Sequence, residues 1–339
     1  MKRLLPWLAA LAVLLALPAA DASGRLELAS NCVPLFLYAL VALGLNIVVG
    51  CAGQLNLSAA AFFGIGAYTA GILTSPVYPF QWSFWAACVA APAAAAAAGL
   101  LLGAPALRLR GDYLAIVTLG FGEVLQVTLR NLETVTQGTK GINPVAAPAL
   151  FGHEYYSTDA RFWYYLALGA LALGVAVCAA LEHSRLGRAW MAIREDELAA
   201  SCMGVRTTRA KLTAFAISAA FAGLAGALQA SYFQTTTDPG KFDFNLSIMF
   251  LCMVIIDGMA SLPGVLAGSA AIVAFDRVLL PWLTKQFAHG GAAPSNILLN
   301  FNNWKWLLFG LALVLMMRFR PEGLWPSRRV REELRGAAG

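Results

Sequence analysis

Hydrophobic residues in this chain gather in long unbroken runs. Ten stretches are almost wholly apolar: 4–20, 33–50, 57–75, 83–107, 113–129, 162–180, 212–232, 244–258, 264–283 and 304–318. A helix rising ~1.5 Å per residue needs about 20 such residues to cross a ~30 Å hydrocarbon core. Outer-membrane β-barrels alternate apolar and polar residues instead, so continuous runs exclude that class. The pattern predicts an all-α, polytopic helical membrane protein with about ten (8–10) transmembrane helices. Two runs are weak, because 244–258 is short and 57–75 reads as a broken or re-entrant segment. Composition agrees: 59% of residues are hydrophobic and 12% charged, about half the charged share of a soluble domain.

Charge orients the runs. With Lys2 and Arg3 inside, alternation places sixteen basic residues in cytoplasmic segments: Lys2, Arg3, Arg108, Arg110, Arg185, Arg188, Arg194, Arg206, Arg209, Lys211, Arg318, Arg320, Arg328, Arg329, Arg331 and Arg335. Six lie outside: Arg25, Arg130, Lys140, Arg161, Lys241 and Lys285. This is the positive-inside pattern of an inner-membrane protein, here with both termini cytoplasmic. The net charge of +6 is thus a matter of topology and calls for no nucleic acid. Residues 1–32 read as an N-terminal membrane helix, or a signal-like segment, with a short outer loop. Residues 33–326 form the membrane domain, and 327–339 a basic cytoplasmic tail.

Chemistry is sparse. The six cysteines are scattered through apolar runs and the three histidines lie far apart, which predicts neither a metal site nor a disulfide framework. No P-loop is present, so any nucleotide hydrolysis belongs to another subunit. No nucleophile–base pair suggests an enzyme, and no cofactor is expected.

Two segments carry the functional signal. The first is "VVGCAGQLNLSAAAFFGIGAYTAGIL", where Gly50, Gly53, Gln54, Asn56 and Ser58 interrupt the apolar pattern. Non-helical backbone at membrane depth is tolerated only where protein buries it or a water-filled cavity faces it. Transporters use such breaks to bind polar solutes. A second break, "DGMASLPG", begins at Asp257. The second segment is the loop 181–211. Its acidic turn Glu195–Asp196–Glu197 suits a helix N-terminus, with Leu198, Cys202 and Met203 along one side and Gly204 placed to end it. Thr207 or Thr208 would cap the next span. An amphipathic helix here either lies on the bundle or docks a soluble partner.

"EDELAASCMG" matches the E-x-A-A-x-x-x-G spacing of the coupling loop in bacterial ABC importer permeases through Glu197, Ala199, Ala200 and Gly204. "GLNIVVGCAGQLNLSAAAFFGIGAYTAGIL", "LRLRGDYLAIVTLGFGEVLQ" and "SRLGRAWMAIREDELAA" occur in that order, followed by "AFAGLAGAL" and "RPEGLWP". Over about residues 33–326 the chain resembles the LivM-type permeases of branched-chain amino acid importers. The resemblance implies a heterodimer with a LivH-like permease, two cytoplasmic ABC ATPase subunits and a periplasmic solute-binding protein, all working across membrane lipid by alternating access. It also implies that Glu197, Ala199, Ala200 and Gly204 sit in an ATPase groove. Asn56, Ser58, Ala59 and Asp257 depart from the family's usual pattern.

A charge within lipid costs roughly 2.5–3.5 kcal/mol on insertion scales. Glu123 and Asp257 are therefore expected at the translocation path, beside Gly50, Gly53, Gln54, Asn56 and Ser58. An ion-coupled secondary transporter using Glu123 or Asp257 is the alternative, but such a protein has no need of the 181–211 docking pattern.

Overall fold

The computed structural model describes residues 28–106, 112–150, 153–236, 238–258, 261–282 and 301–319. Helix α1 (Leu28–Asn46) continues through a wide π-turn (Ile47–Cys51), and α2 (Ala59–Thr74), α3 (Phe84–Ala106) and α4 (Asp112–Asn131) follow. The next loop holds a single turn, α5 (Glu133–Thr136), and a two-residue antiparallel ladder pairing Ala149–Leu150 with His153–Glu154. After it come α6 (Ala160–Glu182), α7 (Arg185–Glu195), α8 (Glu197–Cys202), α9 (Thr207–Phe233), α10 (Phe244–Asp257), α11 (Leu262–Ala274) and α12 (Phe301–Phe319).

Seven stretches among the described residues are long and apolar enough to cross a membrane: Asn31–Cys51, Phe84–Ala104, Tyr113–Asn131, Ala160–Glu182, Thr207–Phe233, Pro239–Ile256 and Leu262–Trp282. They coincide with seven of the ten predicted runs. Run 57–75 becomes α2, which at 16 residues extends only about 24 Å. Run 304–318 lies in α12. Run 4–20 and the tail 327–339 lie outside the described residues.

Helices α1 and α9 form the centre. Helix α1 is enclosed by α6, α9, α10 and α11, and 89% of its apolar window is buried within the protein. Helix α9 runs against α2 and α3 through small residues. A Cβ on Gly66 would lie 2.0 Å from the Gly223 carbonyl oxygen, and one on Gly226 2.0 Å from that of Phe63. Lipid is as apolar as leucine, so close backbone approach and dispersion, not hydrophobicity, hold such helices together. Between α1, α2 and α10, the rings of Tyr38, Phe63 and Phe250 meet at centroid distances of 5.4–6.3 Å.

Gly226→Leu should therefore force α2 from α9 and cost well over the ~1–3 kcal/mol of ordinary overpacking, abolishing the cooperative melting transition of detergent-extracted protein. Gly120→Ala, with nothing within 4 Å of the added carbon, should leave that transition unchanged.

Candidate functional site

The interruption after α1 is built from backbone hydrogen bonds that the helix can no longer make itself. Ala52 N–H donates to Ile47 O and Gln54 N–H to Val48 O, each at 3.0 Å. The chain then leaves the helix at Gly53, whose φ of +66° suits glycine because a Cβ is disfavoured there. Side chains from three other helices satisfy the freed groups. The Gly50 carbonyl accepts from the Arg194 guanidinium of α7 at 2.6 Å. Leu57 N–H donates to Thr118 Oγ1 of α4 at 3.1 Å. Ala60 N–H donates to Ser247 Oγ of α10, also at 3.1 Å. Within the segment, Ser58 donates to Asn56 Oδ1 from both its N–H (3.0 Å) and its hydroxyl (2.6 Å).

The predicted path residues therefore divide. Gly50 and Gly53 abut Arg194, with a Cβ on Gly53 only 2.8 Å from Arg194 Cγ. Asn56 and Ser58 are fully buried, and Gln54 nearly so. Asn56 and Ser58 bond each other through side chain and backbone. Gln54 Oε1 and Asn56 Nδ2 are buried without a hydrogen-bond partner among the described residues, which normally costs about 1–3 kcal/mol each. The segment keeps unused polar capacity.

Glu123 stands near the middle of α4 (Asp112–Asn131), on its exposed side. Only 17% of the apolar window of α4 is buried within the chain. Beside Glu123 runs a narrow crevice bordered by Leu57, Gly122, Phe242, Asp243 and Ser247. Asp243 caps α10 by accepting from Leu246 N–H at 3.0 Å. The start of α10, the segment before α2 and Glu123 thus border one crevice, closed to water-sized molecules. Asp257 ends α10, followed by Gly258 at φ +117°, and its side chain lies outside the described residues. Ser261 caps α11, accepting from Gly264 N–H at 3.2 Å.

The loop 181–211 holds two helices where the sequence suggested one. Helix α7 was missed, though its signals were present: Ser184 as N-cap, accepting from Leu186 and Gly187 N–H at 3.1 and 3.2 Å, and Gly187, Trp190 and Ile193 buried at three-residue spacing. Trp190 is 1% exposed and its Nε1–H donates to Ala210 O at 2.7 Å, pinning α7 to α9. Helix α8 starts at the acidic turn, where Asp196 Oδ1 accepts from Leu198 and Ala199 N–H at 2.8 and 3.0 Å. It ends before Gly204, whose φ is +83°. The expected threonine cap is absent: Arg206 occupies the N-cap of α9 with no side-chain bond, and Thr207 is already helical. Leu198, Ala199, Cys202 and Met203 are exposed while Ala200 is buried. Lys211 is 5% exposed and pairs with Glu197 Oε1 at 2.6 Å.

A bundle of apolar helices with an interrupted span and an exposed amphipathic turn is the layout of a membrane permease. A family model described as the permease component of the branched-chain amino acid transport system matches residues 30–317, and the chain belongs to that family. It is 38% identical to the high-affinity branched-chain amino acid transport permease LivM of Salmonella typhimurium, covering 98% of this chain and 77% of that protein. LivM of Escherichia coli K12 is 39% identical over 89% of this chain and 71% of its own length. LivH of the same strain is 26% identical over 74% of this chain and 84% of its own. No solved structure matches the chain.

Removing one partner of a buried ion pair strands the other charge. Glu197 is partly exposed, so Glu197→Gln should fall at the lower end of that effect, about 3 kcal/mol. It should be read as a lower melting temperature of purified protein, recovered when Lys211→Met is added.

Proposed function

We infer that this chain is the permease subunit of an ATP-driven importer that moves branched-chain amino acids across the inner membrane by alternating access. Its partners are a LivH-like permease, two cytoplasmic ATPase subunits and a periplasmic solute-binding protein. Both termini and the 181–211 loop face the cytoplasm. The observation that carries this reading is α8. Asp196 fixes its start, Gly204 its end, and between them an exposed face of Leu198, Ala199, Cys202 and Met203 is left uncovered by the described residues. Ala199 is small enough to let another backbone approach closely. Glu197 is tied to Lys211 at the base of α9, so a push on α8 reaches that span directly.

The exposed carboxylate of Glu123 is costly against lipid, and the partner permease supplies its environment. The translocation path runs between the two permeases beside α4, with Gln54, Asn56 and Ser58 bordering it from the interrupted segment and Asp257 from the second break. Glu123 and Asp257 act here as polar wall groups, and no ion gradient drives the transport.

In proteoliposomes holding both permeases, the ATPases and the binding protein, leucine should stimulate ATP hydrolysis and uptake together. Ala199→Trp, on an exposed surface, should leave this chain folded and paired with its partner permease, yet abolish co-purification of the ATPases and all uptake. Uptake driven by an ion gradient without ATPases would overturn the reading.

A further inference from the structure

The structure carries a direct link between the cytoplasmic loop and the interrupted span. Helix α7 is too polar and short to be a membrane span, yet it is not a passive linker. Trp190 anchors it to α9, α8 follows after Asp196 with no flexible insert, and Arg194 in its last turn reaches across to the π-turn of α1. The guanidinium satisfies the Gly50 carbonyl, which the helix has released. The stem of Arg194 fills the space beside Gly53, leaving no room for a Cβ. From there the chain runs to Leu57, held by Thr118 of α4, and to Ala60, held by Ser247 of α10. Few residues separate the surface turn from the crevice at Glu123, and every joint along the way is a hydrogen bond or a tight packing contact.

We propose that Arg194 is the positioning residue that transmits movement of the α7–α8 unit to the interrupted segment of α1. The proposal rests on the importer reading and adds the residue through which the drive enters the path. Displacement of α8 by an ATPase moves α7 as a body about its Trp190 anchor. Arg194 then pulls the Gly50 carbonyl with it, and the segment before α2 shifts against α4 and α10. A guanidinium–carbonyl bond is charge-assisted and therefore stronger than the neutral backbone bonds around it, which suits it to bear such a load.

The test uses the complete importer in proteoliposomes and reads leucine uptake per ATP hydrolysed. Wild-type complex is run alongside, and absence of ATP-linked uptake there would sink the importer reading itself, not this proposal. With wild type active, Arg194→Ala should retain ATPase co-purification and leucine-independent hydrolysis while uptake per ATP falls about tenfold, the change expected on losing one charge-assisted hydrogen bond. Arg194→Lys, which still offers a cationic donor, should recover part of it. Gly53→Ala, which displaces the Arg194 stem, should lower the same ratio, and the double variant should be no worse than the poorer single one. Unchanged uptake per ATP in Arg194→Ala would overturn the proposal. Additive losses in the double variant, or loss of the ATPases from the Arg194→Ala complex, would also overturn it, the latter because it makes the residue part of docking.

Discussion

Backbone polar groups cannot be left unpaired in hydrocarbon, and the organisation of this protein follows from how one set of them is paired. Where the π-turn that follows α1 ends, the ladder of helix hydrogen bonds stops at Gln54 N–H and does not resume until α2. An interruption of this kind in water would be solvated and loose. Here the Gly50 carbonyl and the N–H groups of Leu57 and Ala60 are met by Arg194, Thr118 and Ser247, from α7, α4 and α10 in turn. The break is therefore a junction. Three elements far apart in sequence are fastened to it.

The surroundings of that junction differ in how they are held. Helices α1, α2, α3 and α9 pack through glycine and alanine at distances that admit no added methyl group, giving a dense unit with little freedom to rearrange. Helix α4 is joined to it mainly through α2, α3 and the turn at Pro239–Lys241, and most of its surface faces outward. Helices α7 and α8 are fastened at three points, Trp190 to Ala210, Lys211 to Glu197 and Arg194 to Gly50. A rigid centre flanked by more lightly held elements is what alternating access requires, since the motion must be confined to particular joints.

Much of this was legible in the sequence. Runs of apolar residues marked seven spans at nearly their observed limits, because bilayer thickness sets helix length directly. The acidic turn before Leu198 and the glycine at 204 marked α8 because caps and positive-φ positions are local chemistry. Helix α7 escaped notice because its charged residues read as positive-inside topology, which obscured the buried spacing of Gly187, Trp190 and Ile193. The threonine cap at 207 failed because α9 begins one residue earlier than the polar pattern suggests. The bond between Arg194 and Gly50 was beyond reach altogether: it joins residues 144 positions apart, and arginine carries no mark of its acceptor. The family matched over residues 30–317 agrees with the resemblance seen in the ordered motifs, whose combination was far more specific than any one of them.

If Arg194 carries the drive, the α7–α8 unit and the interrupted segment move as one body. Spin labels on Leu186→Cys of α7 and on Leu55→Cys, both exposed positions off the docking face, report the distance between them in the assembled importer, with a further pair between Leu55→Cys and Leu101→Cys on α3 as the reference. On adding ATP, the 186–55 distance should stay constant while the 55–101 distance changes. A 186–55 distance that changes while 55–101 stays fixed would contradict this, because the α7–α8 unit would then be moving without the segment it is held to drive.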